Sequence, residues 1–481
     1  MKHRFILLLL CTMLSLVASA QTDSIQYDVS MSARTASGSS APFWFQNNQF
    51  GVIPFEPNSS TLLARVFKSK SASKKTFDYN FVASGYVNIG RKESSIKLHE
   101  LYINTRLWIF NASAGMHEEI LGNQDESLSC GGFLFSWNSR PMPKLFIGIE
   151  DFKPLLFKNG FVETKGGVSH GWFADQIYTK NLLLHHKYVY LRFGGNKSPF
   201  HIQYGLDHVA QWGGTTPPPP TGYGKQPSGL KDYINVFLAR SGSSAATIGD
   251  QINVGGNHII SQSTKAELNT GNFEISAYWQ NLSEDKPIRF IWKTPNISDG
   301  LWGFSVRNKK IPFIKKVVYE YLNTTDQTGP YHDVDGIVFG GGDSYFYNYL
   351  YQNGWTYYGR TIGTPFITSP VYNKNNEISV MNNRVQVHHV GVEGEYKDYN
   401  FKALGSFTKN YGTYFSYPNQ DMISSTNMLF ELNKHFEKFY QINAGIALGV
   451  DVGEMYGNNL GISVRISKRG CLFPPLKERN K

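Results

Sequence analysis

The sequence has little cysteine, and it has no long apolar run beyond its first twenty residues. Its 481 residues include three cysteines, Cys11, Cys130 and Cys471. So few cysteines exclude a disulfide framework, and the missing CxxC spacing excludes a zinc ribbon or a dithiol redox motif. No apolar run after residue 20 reaches the 18 or so residues that a membrane-spanning helix needs. A membrane location for the mature chain would therefore require β-strands.

Complete enzyme motifs are missing as well. Gly224-Lys225 lacks the upstream glycine and the following Ser or Thr of a phosphate-binding loop, and no HExxH occurs. Residues 167–171 read GVSHG and match GxSxG, but a nucleophile elbow requires an α/β sheet, which nothing else in the sequence indicates. A glycine-rich turn is the simpler interpretation, and Ser169 as a nucleophile is the alternative.

Two further groups of residues could carry chemistry. The pairs His185-His186 and His388-His389 would point to opposite faces of a strand, so neither pair could readily hold one metal ion. His117-Glu118-Glu119 and Asp333-x-Asp335 could supply two carboxylates for glycoside hydrolysis, although solvated acids in loops are commoner. The sequence therefore predicts a protein that is not an enzyme and that uses no cofactor and no metal.

The N-terminus has the pattern of a cleaved signal peptide. Lys2, His3 and Arg4 precede an apolar run, and Ala18-Ser19-Ala20 forms a cleavage site, so residues 1–20 are a predicted signal peptide. The formal charge is +10 and falls to +8 when Lys2 and Arg4 are removed. We expect such a basic exported chain to meet an acidic glycan or anionic lipid rather than nucleic acid.

Alternation with a period of two residues dominates the rest of the chain. It occurs in residues 98–111, 200–208, 442–451 and 460–468, where apolar and polar side chains take turns. Strands of about ten residues with one apolar and one polar face are typical of membrane barrels, and the turn-rich stretches between them support this. At roughly 25 residues per strand and loop, the mature chain could form about 16 to 18 strands.

The fold prediction is an all-β, antiparallel outer-membrane β-barrel over residues 21–481, after a signal peptide at 1–20. Residues 41–54 do not alternate well, so part of 21–60 could be a plug or a periplasmic element. The last strand is expected at Leu460–Lys468. Residues 469–481, with Pro474-Pro475, are expected to form a tail that leaves the sheet.

The most aromatic stretch is residues 340–370, where tyrosines, phenylalanines and Trp355 alternate with amides, acids and Arg360. Such rings could pack in a protein core, anchor at lipid headgroups, or stack on sugar rings. Comparable clusters with glycine occur at residues 170–173 and 211–214. A flat ring beside a guanidinium or a carboxylate suits sugar recognition. The candidate ligand-binding residues are His170, Trp172, Trp212, Asp343, Trp355, Tyr357, Tyr358 and Arg360.

Five stretches of the sequence together resemble the Wzi-type capsule assembly proteins, in their Bacteroidetes branch. The matching stretches keep the expected order along the chain and cover residues 42–54, 169–195, 202–214, 299–307 and 341–370. The resemblance implies an outer-membrane barrel of about 18 strands. It also implies a lectin-like role without an enzymatic step, in which the protein holds capsular polysaccharide at the cell surface.

One departure from the family concerns the capsule export machinery. Some relatives carry a periplasmic helical bundle near the N-terminus, and no amphipathic helical run supplies one here, so contact with that machinery stays open. The expected partners are an acidic capsular or extracellular polysaccharide and outer-membrane lipid. The alternatives are a diffusion porin, in which the polar faces line a channel, and an outer-membrane enzyme that modifies glycan or lipid.

Overall fold

The chain forms a closed, antiparallel β-barrel of 18 strands in the computed structural model. The structure describes residues 24–71, 76–92, 94–156, 159–252, 254–284, 296–311, 313–327, 329, 332–334, 337–339, 344–373, 377–415, 421–437 and 441–473. The strands are β1 (Ile25–Ala36), β2 (Ser59–Lys68), β3 (Phe77–Gly90), β4 (Ser94–Leu107), β5 (Phe110–Met116), β6 (Lys144–Leu156), β7 (Val162–Trp172), β8 (Leu183–Phe193), β9 (Phe200–Trp212), β10 (Asn257–Asn269), β11 (Phe273–Glu284), β12 (Gly300–Asn308), β13 (Lys316–Asn323), β14 (Val385–Tyr396), β15 (Tyr399–Asn410), β16 (Ile423–Phe436), β17 (Ile442–Gly453) and β18 (Asn459–Phe473). The predicted fold class is confirmed. The predicted signal peptide lies outside the described residues and stays a prediction.

The described residues include three short helices besides the barrel, which are α1 (Phe43–Gln46), α2 (Leu230–Phe237) and α3 (Ile248–Ile252). Two short hairpins and a 3-10 turn lie in the connection between β13 and β14. No helix among the described residues has the length and apolar character of a membrane span.

The barrel closes between its first and last strands, and the last strand is longer than predicted. β1 and β18 pair along their lengths, and the pairing continues past the expected end at Lys468, with Arg469 opposite Asp28 and Cys471 opposite Gln26. The Arg469 guanidinium also donates to Gln26 Oε1 at 2.7 Å. The expectation that the chain leaves the sheet at residue 469 was wrong, because β1 supplies backbone partners as far as Phe473.

The predicted alternation corresponds to an apolar outer face and a polar lumen. In β17, Ile446 and Leu448 are 47% and 44% exposed on the outside. Asp451 on the other face is buried and accepts a hydrogen bond from the Phe43 amide at 3.0 Å. One predicted strand was wrong in extent: residues 98–111 do not form a single strand, because a tight turn at Trp108, with φ at 59°, separates β4 from β5.

The two ends of the barrel differ in the length of their connections. Connections that follow even-numbered strands are short, such as 397–398, whereas several that follow odd-numbered strands are long, such as 117–143, 213–256 and 324–384. Short turns face the periplasm and longer loops face outward in membrane barrels. We use the terms short-turn end and long-loop end for the two rims.

Long connections fold back into the lumen and form a plug. We define the plug as residues 41–54, 128–138 and 344–370. Its apolar side chains share one buried core with the lumen-facing side chains of the wall, including Val209, Ile259 and Val387. The apolar core of this barrel therefore lies inside it, between the plug and the wall. The region suspected from residues 41–54 is part of this plug.

Polar wall residues fix the plug at defined points. Glu320 of β13 accepts hydrogen bonds from the Cys130 amide at 2.6 Å and from Ser129 Oγ at 2.7 Å. His389 of β14, its neighbour across the ladder, contacts Leu128 O through Nε2 at 2.8 Å. Buried polar groups are costly without partners, so these bonds favour one position of the plug. Cys130 is a free, buried thiol and Cys471 is free and exposed.

Candidate functional site

Residues 344–370 of the aromatic stretch contribute the centre of the plug. Trp355 is fully buried, and its indole Nε1 donates to Leu134 O at 2.9 Å. Its ring lies edge-on to Phe135 and Phe173, with centroids 5.9 and 6.3 Å away. A tryptophan surrounded in this way shapes the plug and offers no surface to a ligand at the rim.

Arg360 is the buried cation of the plug. Its guanidinium donates to Gln46 O at 3.1 Å and to Ile53 O at 2.9 Å, both in the first long connection. Burial lowers the pKa of this guanidinium from its ordinary value. Arg360 therefore joins two segments of the plug through backbone carbonyls. Its predicted contact with a glycan remains a prediction, and direct contact would require the plug to move.

A second anchor of the plug is centred on the buried carboxylate of Asp299, directly before β12. It accepts hydrogen bonds from the Gln327 amide at 2.6 Å, the Asp326 amide at 3.0 Å, the Asn323 side chain at 2.9 Å and the Tyr345 hydroxyl at 3.1 Å. Despite these four donors, burial raises the pKa of Asp299 to about 7. The carboxyl group can therefore change protonation state near neutral pH.

We expect the Asp299 anchor to weaken as the pH rises. An unfolded Asp has a pKa of about 3.9, so between about pH 4 and pH 7 the folded chain retains a proton that the unfolded chain releases. This contribution to the free energy of unfolding is complete below about pH 4, falls as the pH rises toward 7, and is absent above pH 7. The thermal midpoint in detergent, measured by near-UV circular dichroism, should therefore be higher at pH 5 than at pH 8.

Asp299→Asn should reduce this pH difference, whereas Asp398→Asn, at a carboxylate that is 75% exposed at the short-turn end, should leave it unchanged. An equally large difference in the Asp299→Asn protein would assign the pH dependence to another group.

Tyr358 presents an open ring at the edge of the plug and is 39% exposed. Its amide donates to the Asp175 carboxylate at 3.0 Å, and the Arg140 guanidinium lies 4.7 Å from the centre of its ring. Burial raises the pKa of Asp175. We call Arg140, Asp175 and Tyr358 the rim patch. It combines a stacking face with a cation and a carboxyl group, which is the combination expected for sugar recognition.

The rim patch lies at the long-loop end, where one strand of the wall is shorter than its neighbour. β5 ends at Met116, opposite Leu101, so Ser94–Glu100 of β4 extend beyond it. Arg140 donates to Leu98 O at 2.6 Å along this free edge. The chain between plug and β6 thereby covers an edge that would otherwise be open, and it holds the guanidinium under Tyr358.

The predicted ligand-binding residues fall into two groups and do not form one site. Trp355, Tyr357, Tyr358 and Arg360 belong to the plug, where Tyr357 is buried against Tyr358 with ring centroids 4.7 Å apart. His170, Trp172 and Trp212 lie on the outside of the wall, with ring centroids of His170 and Trp212 6.0 Å apart. Asp343 lies outside the described residues.

Sequence reasoning missed Arg140, Asp175 and the Asp299 anchor. Asp299 stands inside one of the recognised motifs, at residues 299–307, but no signal separated it from other acids. Arg140 follows a serine- and asparagine-containing stretch that reads as an ordinary loop. Their importance comes from contacts with residues far away in the chain, so a single sequence carries little trace of it.

The GVSHG motif is not a turn, and that prediction was wrong. Residues 167–171 lie within β7. The Phe146 ring fills the space beside Gly167, where a Cβ would come within 2.2 Å of Cε2. Ser169 faces His186 across the ladder, and His186 Nε2 lies 3.0 Å from Asp207 Oδ1. No hydrogen bond joins Ser169 to His186 within the described part of the chain, and a strand lacks the geometry of a nucleophile elbow.

The histidine pairs point to opposite faces, as predicted. His186 contacts Asp207 in the lumen, whereas His185 Nδ1 lies 3.4 Å from the Tyr233 hydroxyl on the outside. The carboxylates of the first predicted acid pair have partners, since Glu118 contacts His99 Nε2 at 2.8 Å and Glu119 binds Lys144. Asp335 lies outside the described residues.

Water-accessible cavities remain between the plug and the short-turn end. Three of them have volumes of about 490, 340 and 730 Å³. The largest is lined by Lys316, Arg307, Glu267 and Glu393 among others, so charges of both signs face the space. These cavities give the lumen a polar interior on one side of the plug.

Comparison with known proteins identifies the fold but no sequence family. Wzi, an outer membrane protein involved in group 1 capsule assembly in Escherichia coli and a carbohydrate-binding β-barrel, matches with a TM-score of 0.56 at 12% identity, over 95% of this chain and 87% of that one. OccK2 (OpdF) of Pseudomonas aeruginosa, in complex with glucuronate, matches with a TM-score of 0.49 at 8% identity, over 93% and 96%. OccK5 (OpdH) of the same organism matches with a TM-score of 0.48 at 6% identity, over 94% and 98%.

No protein-family model matches the sequence, and no curated protein matches it. At 12% identity the similarity to Wzi establishes the fold alone. The chain is therefore a closed 18-stranded barrel of the outer-membrane type that shares its fold with Wzi.

Proposed function

We propose that this protein is a non-enzymatic outer-membrane protein that binds capsular or extracellular polysaccharide and helps to hold it at the cell surface. The observation that carries the proposal is the plug, which places one apolar core across the lumen and presents the rim patch at its edge. A barrel built only for diffusion needs an open channel, and an apolar core across its lumen opposes that use.

Three further observations support the proposal. Wzi, whose fold this chain shares, is a carbohydrate-binding barrel, and we extend that activity to this chain. The rim patch offers Tyr358 for stacking and Arg140 for a carboxylate. The charge of +8 expected for the mature chain favours an acidic polymer. Export by the predicted signal peptide and placement in the outer membrane are part of the same proposal.

Binding of the purified barrel to the capsular polysaccharide of its own strain tests this function. We expect binding that weakens as salt is raised, because charges on the protein and the polymer are screened. Deletion of the gene should release polymer into the medium while its synthesis continues. Unchanged capsule retention in the deletion strain, together with no binding in vitro, would overturn the proposal.

A diffusion porin is the second candidate, and the polar cavities on the short-turn side of the plug favour it. Single-channel conductance in planar bilayers separates the two functions. The proposed function predicts a barrel that is closed almost all the time, whereas steady conductance in the absence of polysaccharide would favour the porin.

A further inference from the structure

The connection between β9 and β10 packs against the outside of the barrel. Gln211 of β9 faces inward and donates to the plug backbone at 3.0 Å, so Ala210 and Trp212 face outward. An outward side chain of a membrane barrel normally meets lipid, yet these two are only 0% and 3% exposed. They are covered by Tyr233 and Val236 of α2. The helix therefore lies on the outer wall.

The helix covers polar groups that would otherwise face lipid. Lys187 points outward from β8, donates to Phe237 O, and lies 4.5 Å from the Phe237 ring. His185, also outward, lies against Tyr233 with ring centroids 5.5 Å apart. Charged side chains on the lipid face of a barrel are destabilising. By covering these groups, α2 replaces them as the outermost surface of the wall here.

The exposed side of the helix is apolar. Leu230, Ile234 and Leu238 follow one another at intervals of four residues and are 76%, 48% and 47% exposed, so they form one stripe pointing away from the barrel. In α3, Ile248 and Ile252 have the same spacing and are 76% and 75% exposed. We call residues 230–252, which include α2 and α3, the flap. Exposed apolar patches of this kind mark surfaces that bind a partner.

The stripe continues the lipid-facing band of the barrel. On the outward face of β8, the residue that follows Lys187 is Val189, which is 46% exposed, and Phe193 further along is 37% exposed. The flap thus begins at the margin where the apolar band ends. Lys231 and Arg240, both exposed, stand beside the stripe. Helices with an apolar side and flanking basic residues lie in the plane of a membrane interface.

We propose that the flap is seated in the outer leaflet of the membrane, with Leu230, Ile234 and Leu238 among the acyl chains of the lipid. Lys231 and Arg240 then extend to the headgroups. The flap also contacts the plug, because Thr247 Oγ1 lies 2.9 Å from the Tyr349 hydroxyl. The same connection between β9 and β10 accepts a hydrogen bond from the Tyr351 hydroxyl at Gly213 O, at 3.3 Å. The membrane thereby holds one side of the plug through an external connection.

Spin labels test the position of the flap. The label is attached to the cysteine of Ile234→Cys, in a protein that also carries Cys471→Ser, and the protein is placed in phosphatidylcholine vesicles. Two control labels are attached in the same way. One is at Ile446→Cys in the lipid-facing wall, and the other is at Tyr223→Cys in the connection that carries the flap. We expect the label at position 234 to collide readily with oxygen and poorly with a water-soluble nickel chelate, like the label at 446. A label that behaves like the one at 223 overturns the proposal. Shielding from both reagents also overturns it and indicates a second copy of the chain.

A variant provides an independent measurement. In L230S/I234S/L238S, trypsin should cleave after Arg240 severalfold faster than in the unchanged protein in the same vesicles, because the flap no longer holds to lipid. Tyr223→Ser should leave the rate unchanged, and heat-modifiable mobility on gels verifies that each barrel is folded. An unchanged cleavage rate in the folded triple variant overturns the proposal.

Discussion

Trp355→Ala should open the lumen to ions. The indole is fully buried in the plug and holds Leu134 O by a hydrogen bond of 2.9 Å. Replacing a buried tryptophan by alanine costs about 3–5 kcal/mol, through lost burial and the cavity left behind. The wall strands keep their own ladder, so the loss falls on the plug rather than on the barrel. Planar bilayer recordings should show frequent open events in Trp355→Ala and rare ones in the unchanged protein.

Trp302→Ala is the matched control for this experiment. Trp302 is 43% exposed on the outer wall, where it pairs with Trp279 at a centroid distance of 5.6 Å. Its loss should leave the conductance unchanged. If Trp355→Ala remained as closed as the unchanged barrel, the plug would be held by its polar anchors at Glu320, His389 and Asp299, and its apolar core would be secondary.

The strands could be predicted from the sequence because each of their faces meets a different medium. Ile446 and Leu448 face lipid, whereas Asp451 faces the lumen. The sequence shows this contrast as apolar and polar residues that alternate with a period of two. The ends of the strands were harder to predict from the sequence. Trp108 breaks the alternating run at 98–111 by its backbone conformation, and β18 extends to Phe473 because β1 provides the pairing. Both features depend on geometry rather than on polarity.

Apart from the element suspected in residues 21–60, the plug could not be predicted, because its signals are the same as those of an exposed loop. Residues 340–370 are rich in glycine, amides and aromatic rings, which suit a sugar surface, a membrane girdle or a core equally. The hydrogen-bond partner that holds Trp355 in the plug is Leu134, which lies 221 positions earlier. For Arg360 the partner is Gln46, 314 positions earlier. Such pairings depend on which connections enter the lumen, and strand periodicity does not specify that.

Two adjacent residues show how fine the division is between core and surface. Tyr357 is 2% exposed and packs edge-on to Phe173 with centroids 6.0 Å apart, whereas Tyr358 is 39% exposed. Tyr358 also has a positive φ of 51°, which turns its side chain away from the direction of its neighbour. Both were candidate ligand residues in the sequence, and only Tyr358 presents an open ring in the structure.

Tyr358→Ala is therefore expected to weaken polysaccharide binding while the barrel stays folded. A stacking contact of about 1.4 kcal/mol corresponds to a tenfold change in Kd. We expect an effect of about that size, because the exposed ring is lost while the buried Tyr357 still fills the plug. Binding of the purified variant to the capsular polysaccharide, and the polymer retained by cells that carry it, provide the measurements.

Tyr399→Ala is the control for Tyr358→Ala, because Tyr399 has a similar exposure of 38% but lies at the short-turn end. It should bind like the unchanged protein. Arg140→Gln should flatten the salt dependence, since the guanidinium under the Tyr358 ring is the cation of the rim patch. If both Tyr358→Ala and Arg140→Gln bound normally while Trp172→Ala did not, the ligand would lie on the outer wall beside His170. The plug would then only close the barrel.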